Sequence, residues 1–203
     1  MSENVLTPPT HTVPTAFTRA QLDWLPWLEP LAVEAMTERH LASLVDAARV
    51  KSPYFRLLAR DPDALEARTR TDKDIFYNPD AGLPRAEREL AAAATSRFNG
   101  CLYCASVHAR HAATYSKREA DVQRLLDAGV TADVGERWNA IVAASVALTE
   151  TPSTFGREHV ERLRRAGLDD LAIADVIHAA AFFNWANRLM LSLGEPTAAA
   201  SPA

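Results

Sequence analysis

The stretch Glu89-Leu-Ala-Ala-Ala-Ala-Thr-Ser-Arg-Phe-Asn-Gly-Cys101-Leu-Tyr-Cys104-Ala-Ser-Val-His108-Ala-Arg-His111 decides how this chain is read. Its first half is alanine-rich and shows no alternating β-branched pattern, so it reads as a helix. Leu83-Pro84 opens that helix, because proline suits a first turn, and Asn99-Gly100 stops it. A second helix starts at about Cys101 and runs to about Ser116. The turn folds the two helices back on each other and brings Glu89 towards the cysteines.

Cys101 and Cys104 stand at i and i+3, on one helix face, at a Cα separation that a disulfide tolerates. The first-turn amides of the helix favour a thiolate there. His108 follows Cys104 by four residues and shares its face, and an imidazole suits proton transfer at neutral pH. Glu89 on the preceding helix can polarise His108 or pass a proton to either sulfur. Glu87 is the competing acid, and the apolar set Leu83, Leu90, Ala93, Ala94 and Phe98 does not separate the two. The surrounding alanines let helices approach closely and keep a thiol pocket partly dry. Zinc is the main alternative, since Cys101, Cys104, His108 and His111 are all ligand types. On one continuous helix, however, the first and last lie about 15 Å apart, too far to share one ion. A thioredoxin fold would need βαβ strands, which the sequence lacks.

Working outward, Thr18 is placed to cap a short helix beginning Arg19-Ala-Gln-Leu22, and Pro26 and Pro30 interrupt the chain. Helices are expected over Thr37–Val50, Pro53–Leu58, Ala64–Thr71, Arg118–Leu126, Asp133–Leu148, Arg157–Arg165 and Asp169–Leu193. The fold class is therefore all-α. The organisation reads as a flexible N-terminus (1–16), an N-terminal helical segment (17–80), a helical catalytic core (83–196) and a frayed tail (197–203).

Of the 203 residues, 48% are hydrophobic, enough for one core, and the formal net charge is −4. A mildly acidic chain with no basic run is a poor nucleic-acid binder. Arg85, Arg88, Arg110, Arg118, Arg162, Arg164 and Arg165 read as solvated helix faces. No signal peptide or membrane span is evident, so the chain reads as soluble and cytoplasmic. The two cysteines lie within four residues, too close to staple the fold usefully, which favours redox chemistry. With no phosphate loop or dinucleotide fingerprint, the expected site uses neither cofactor nor metal.

The pattern Glu89-x11-Cys101-x2-Cys104-x3-His108 resembles the alkylhydroperoxidase D-like branch of the carboxymuconolactone decarboxylase superfamily. Leu83-Pro-Arg-Ala-Glu-Arg-Glu89, Ser96-Arg-Phe-Asn-Gly-Cys101 and Ala181-Phe-Phe-Asn184-Trp-Ala-Asn187-Arg188 resemble its peroxidase-related members, over roughly residues 50–196. The resemblance implies an all-helical fold, an antiparallel or orthogonal bundle that assembles into dimers, trimers or hexamers. It implies reduction of hydroperoxides through a disulfide cycle fed by a dithiol reductant, a lipoyl or thioredoxin-like protein. It also implies that Cys104 attacks, Cys101 resolves, and Glu89 and His108 relay protons. The opposite cysteine order remains open, since Cys101 is nearer the helix N-terminus. The family carries a second histidine directly before the second cysteine, where this chain has Tyr103. A general thiol–disulfide oxidoreductase and a non-catalytic redox sensor share the same motif. His111 could extend the relay, His178 reads as a hydrogen-bonded core histidine, and Trp24, Trp27, Trp138 and Trp185 read as packing residues. Asn184, Asn187 and Arg188 either line the pocket or cap an interface.

Overall fold

The computed structural model describes residues 5–7 and 10–199, and the expectations for residues 1–4, 8, 9 and 200–203 lie outside it. The chain is helical, with α1 (Glu38–Ser43), α2 (Pro53–Leu58), α3 (Pro62–Tyr77), α4 (Arg85–Phe98), α5 (Leu102–Ser116), α6 (Glu119–Ala128), α7 (Glu136–Thr149), α8 (Arg157–Arg165) and α9 (Asp170–Leu193). At the centre lies α4, which packs on α5, α7 and α9. Ala91, Ala92, Ala93 and Ala94 are all fully buried, so three neighbouring helices close on a helix with little side-chain volume. Leu90 fills the remaining space on the same helix.

Several expected boundaries shift for local reasons. The stretch Thr37–Val50 is not one helix. After α1, Val45 takes a left-handed backbone (φ 62°) and a separate 3-10 turn follows at Ala47–Lys51. The expected helix Ala64–Thr71 extends at both ends to Pro62 and Tyr77, started by the Asp61 carboxylate, which accepts from the Ala64 amide (3.1 Å). Thr18 caps no helix; its hydroxyl accepts from the Ala20 amide in a local turn.

The all-α class holds, with one short two-stranded sheet added that the sequence did not suggest. β1 (Leu22–Pro26) pairs antiparallel with β2 (Gly194–Ala198), with Trp24 opposite Pro196 and Pro26 opposite Gly194. Strand order thus reaches two residues into the stretch expected to be tail. The pairing continues into the loop, where the Trp27 amide donates to the Leu193 carbonyl (2.8 Å). Trp24 is buried, its indole donates to the Met190 carbonyl (3.4 Å), and its ring meets Tyr54 edge-on at 5.4 Å. The early chain is therefore strapped across the end of α9 and braces α2.

Gly194 makes the strap possible. A Cβ there would collide with the Leu25 carbonyl and the Trp24 indole. Gly194→Ala is expected to destabilise the fold by about 1–3 kcal/mol through overpacking. Thermal unfolding checks this, at roughly 2–4 °C per kcal/mol for a chain of this size. An unchanged melting temperature would contradict this packing.

Candidate active site

The turn between α4 and α5 is built from Asn99, Gly100 and Cys101. Gly100 adopts φ +78°, and the Cys101 amide donates back to the Ser96 carbonyl (2.9 Å), closing α4 with a six-to-one bond. Cys101 is also the N-cap of α5, so one residue ends the first helix and starts the second. Both cysteines are reduced and buried. Cys104 donates a hydrogen bond to Cys101, which pulls the Cys101 thiol below its ordinary pKa against the opposing effect of burial. The Tyr103 and Cys104 amides face the Cys101 sulfur and act in the same direction, although they form no regular capping bond. The same shared hydrogen bond, with burial and the Cys101 charge, pushes Cys104 well up. Asn187 and Arg68 partly oppose that rise.

Glu89 and His108 come together. The carboxylate Oε2 lies 2.7 Å from His108 Nδ1, and Glu89 is only 1% exposed. Arg85 Nε donates to the other carboxylate oxygen (3.2 Å), and its guanidinium lies between the rings of Tyr77 and Tyr115. With Nδ1 engaged as donor, Nε2 of the neutral ring is left as the acceptor. Phe76 and Phe183 clamp the imidazole at centroid distances of 5.2 and 4.0 Å. Burial opposes the charge on Glu89. The hydrogen bond to His108 and the pull of His108, His111 and Arg85 outweigh it, so the carboxyl titrates below the usual range. Glu87, the competing acid, turns towards α7 and takes both Nε (2.7 Å) and Nη2 (2.8 Å) of Arg137.

Cys104, Glu89 and His108 line one cavity of about 200 Å³, and Cys101 lies behind Cys104, outside its lining. His111 and Tyr103 are half-buried on the same wall. Three further residues at the thiols were left undecided or unnoticed in the sequence. Asn187 is fully buried and reaches Cys104; its amide donates to Ser96 Oγ (3.0 Å), and Asn99 Nδ2 donates to its carbonyl (3.1 Å). Arg68 and Tyr54 form the facing wall, both buried. Arg68 had a signal: it falls at helical spacing from Leu65, Ile75 and Phe76 on the buried face of α3.

Other expectations need correction. His178 is exposed rather than a core histidine, because it falls on the outer face of α9. Trp185 is 44% exposed. Arg88 is buried, donating to the carbonyls of Ile75 (2.6 Å) and Asn78 (3.3 Å), which ties α3 to α4. Arg85 belongs to the site and Arg118 lies over the Trp138 ring at 3.8 Å, so neither is a free surface charge. No group of three or more metal-ligating side chains comes together among the described residues. No helix of these residues is long and apolar enough to cross a membrane.

Residues 62–147 match the sequence profile of the carboxymuconolactone decarboxylase family. The matched segment contains Arg68, Glu89, Cys101, Cys104 and His108, whereas Phe183 and Asn187 reach the site from beyond it. The fold is that of the alkylhydroperoxidase D core. An uncharacterised peroxidase-related protein from Ralstonia eutropha JMP134 shares it at 24% identity, with 80% of this chain and 87% of that one covered and a TM-score of 0.68. A peroxidase-related protein from Silicibacter sp. TM1040 shares it at 24% identity, 70% and 75% coverage and a TM-score of 0.62. The debrominase Bmp8 shares it at 19% identity, 81% and 88% coverage and a TM-score of 0.65. No curated protein matches the chain.

The depressed Glu89 value has a consequence for stability. Between the folded and unfolded pKa the unfolded chain binds the extra proton. The stabilisation is therefore complete above the ordinary glutamate value of about 4.3 and is lost as pH falls through the folded value. Urea unfolding from about pH 5 down to pH 3 is expected to show a flatter decline for Glu89→Gln than for the native chain. Parallel declines would contradict the assignment.

Proposed function

We propose that the protein is a thiol-dependent peroxidase that reduces organic hydroperoxides through a dithiol–disulfide cycle of Cys101 and Cys104. The observation that carries this reading is the cavity itself: Cys104 opens into it beside the Glu89–His108 pair, with Cys101 in contact behind. In the proposed cycle His108, oriented by Glu89, accepts the Cys104 proton. The thiolate attacks the terminal peroxide oxygen, the O–O bond breaks, and His108 returns the proton to the departing alkoxide as alcohol. Cys104 is left as a sulfenic acid. Cys101, whose thiol is favoured as thiolate by the first-turn amides of α5, attacks that sulfur and releases water, leaving a disulfide. A dithiol donor, a lipoyl or thioredoxin-like protein, restores both thiols by exchange and leaves as its own disulfide. Arg68 and Asn187 favour the Cys104 thiolate at the moment of attack.

In this reading residues 83–196 form the catalytic core and residues 17–80 complete the wall of the pocket through Tyr54, Arg68 and Phe76. The exposed Phe98, Trp185 and Leu191 suit a homo-oligomeric contact. A reducible active-site disulfide suits the cytoplasm, where dithiol donors are kept reduced. Thiol-based dehalogenation is the second reading, favoured by the aromatic lining of the pocket and by a debrominase of the same fold.

Turnover of cumene hydroperoxide with reduced lipoamide tests the proposal. Cys104→Ser is expected to abolish it, and His108→Ala to slow it by about 10²–10⁴-fold, the usual worth of a positioned acid–base group. In Cys101→Ser, peroxide should leave a sulfenic acid trapped on Cys104. Full turnover in Cys104→Ser, or a sulfenic acid found on Cys101 in that variant, would overturn the cysteine order. Debromination of a bromopyrrole without peroxide turnover would favour the second reading.

A further inference from the structure

The pocket wall contains a guanidinium whose N–H groups the peroxidase cycle leaves without an acceptor. Arg68 is 9% exposed and lines the cavity, yet its Nε and Nη1 have no hydrogen-bond partner among the described residues. Its nearest counter-charge, Asp72, lies 3.6 Å from Nη1 and is shared with Arg49 at 3.4 Å. Two guanidinium groups thus face one carboxylate, and one positive charge is left over. The other charged pair on the wall, Arg85 with Glu89, is already matched. The rings of Phe55 and Phe182 lie 5.4 and 5.3 Å from the guanidinium carbon, holding the group in place while supplying no acceptor for its N–H groups.

Tyr54 stands beside Arg68. Its hydroxyl is buried and lies within loose hydrogen-bonding reach of the Arg68 guanidinium, but it makes no hydrogen bond of normal geometry and its own proton has no acceptor. A buried guanidinium and a buried hydroxyl therefore converge on one cavity with donors unmatched. Such groups are costly to leave unpaired, and native structures generally supply a partner. Asp72, Ser52, His108 and His111 also line the cavity, and its apolar part is made by Phe76, Phe183, Val107 and Met190. A pocket with one surplus positive charge at one end, an apolar body and a thiol suits an amphipathic monoanion.

We propose that the pocket binds organic carboxylic acids, with the carboxylate held by Arg68 and the Tyr54 hydroxyl and the apolar body extending towards Cys104. This rests on the reading of Cys104 as the reacting thiol, and it makes hydroperoxides that carry an acid group the preferred substrates over neutral ones such as cumene hydroperoxide, which still react. Arg68 and Tyr54 are then specificity residues.

Titration calorimetry of the reduced full chain at pH 7 tests it, with 4-isopropylbenzoate against 4-isopropylbenzamide, which has the same shape and no charge. The benzoate is expected to bind at least about tenfold tighter, the worth of one charge-assisted contact. Arg68→Met should bring the two ligands to equal affinity, and Tyr54→Phe should weaken the benzoate several-fold. If Arg68→Met does not fold by circular dichroism, the native ratio and its fall in Tyr54→Phe decide. Equal affinities in the native chain, no benzoate binding, or a preference that survives substitution would overturn the proposal. No peroxide is used, so the two readings fail separately. Benzoate binding without thiol oxidation by cumene hydroperoxide keeps the acid site and rejects the peroxidase. Turnover without a benzoate preference does the reverse.

Discussion

The geometry of the site depends on how closely helices approach α4. Four consecutive buried alanines leave α5, α7 and α9 against its backbone. A larger residue there would push α5 outward, and Glu89 on α4 would lose its 2.7 Å contact with His108 on α5. The Asn99-Gly100-Cys101 turn adds the second constraint, because the residue that closes α4 also begins α5. Small side chains and one left-handed glycine therefore fix the relation between a carboxylate, an imidazole and two thiols.

Within that frame the thiols are made unequal by their surroundings. Cys101 has the amides of a helix start and the hydrogen bond from its neighbour; Cys104 has burial and the pocket. The first-turn amides and access to a substrate thus fall on different sulfurs. In the proposed cycle this division is useful: the accessible sulfur meets the peroxide, and the one at the helix start is ready to close the disulfide.

The parts legible in the sequence were those set by local spacing. Cys101, Cys104 and His108 share a helix face because they are three and four residues apart, and Asn-Gly marks the turn. The helices from α4 to α9 begin and end close to where their caps and breakers indicate. The choice between Glu87 and Glu89 was not legible, since it depends on which neighbour each acid meets, Arg137 or His108. Nor was the strap: Leu22–Pro26 and Gly194–Ala198 contain prolines and glycine and no β-branched alternation, and they pair because Trp24 needs burial beside Tyr54. Arg68, Tyr54 and Asn187 come from three separate helices, and only the packing brings them to the thiols.

The central claim is that the two thiols react as a pair with a hydroperoxide. The most direct test is a thiol titration of the fully reduced chain before and after one equivalent of cumene hydroperoxide. The account predicts the loss of both thiols, recovered together on adding a dithiol. Thiols that stay titratable after peroxide would contradict it.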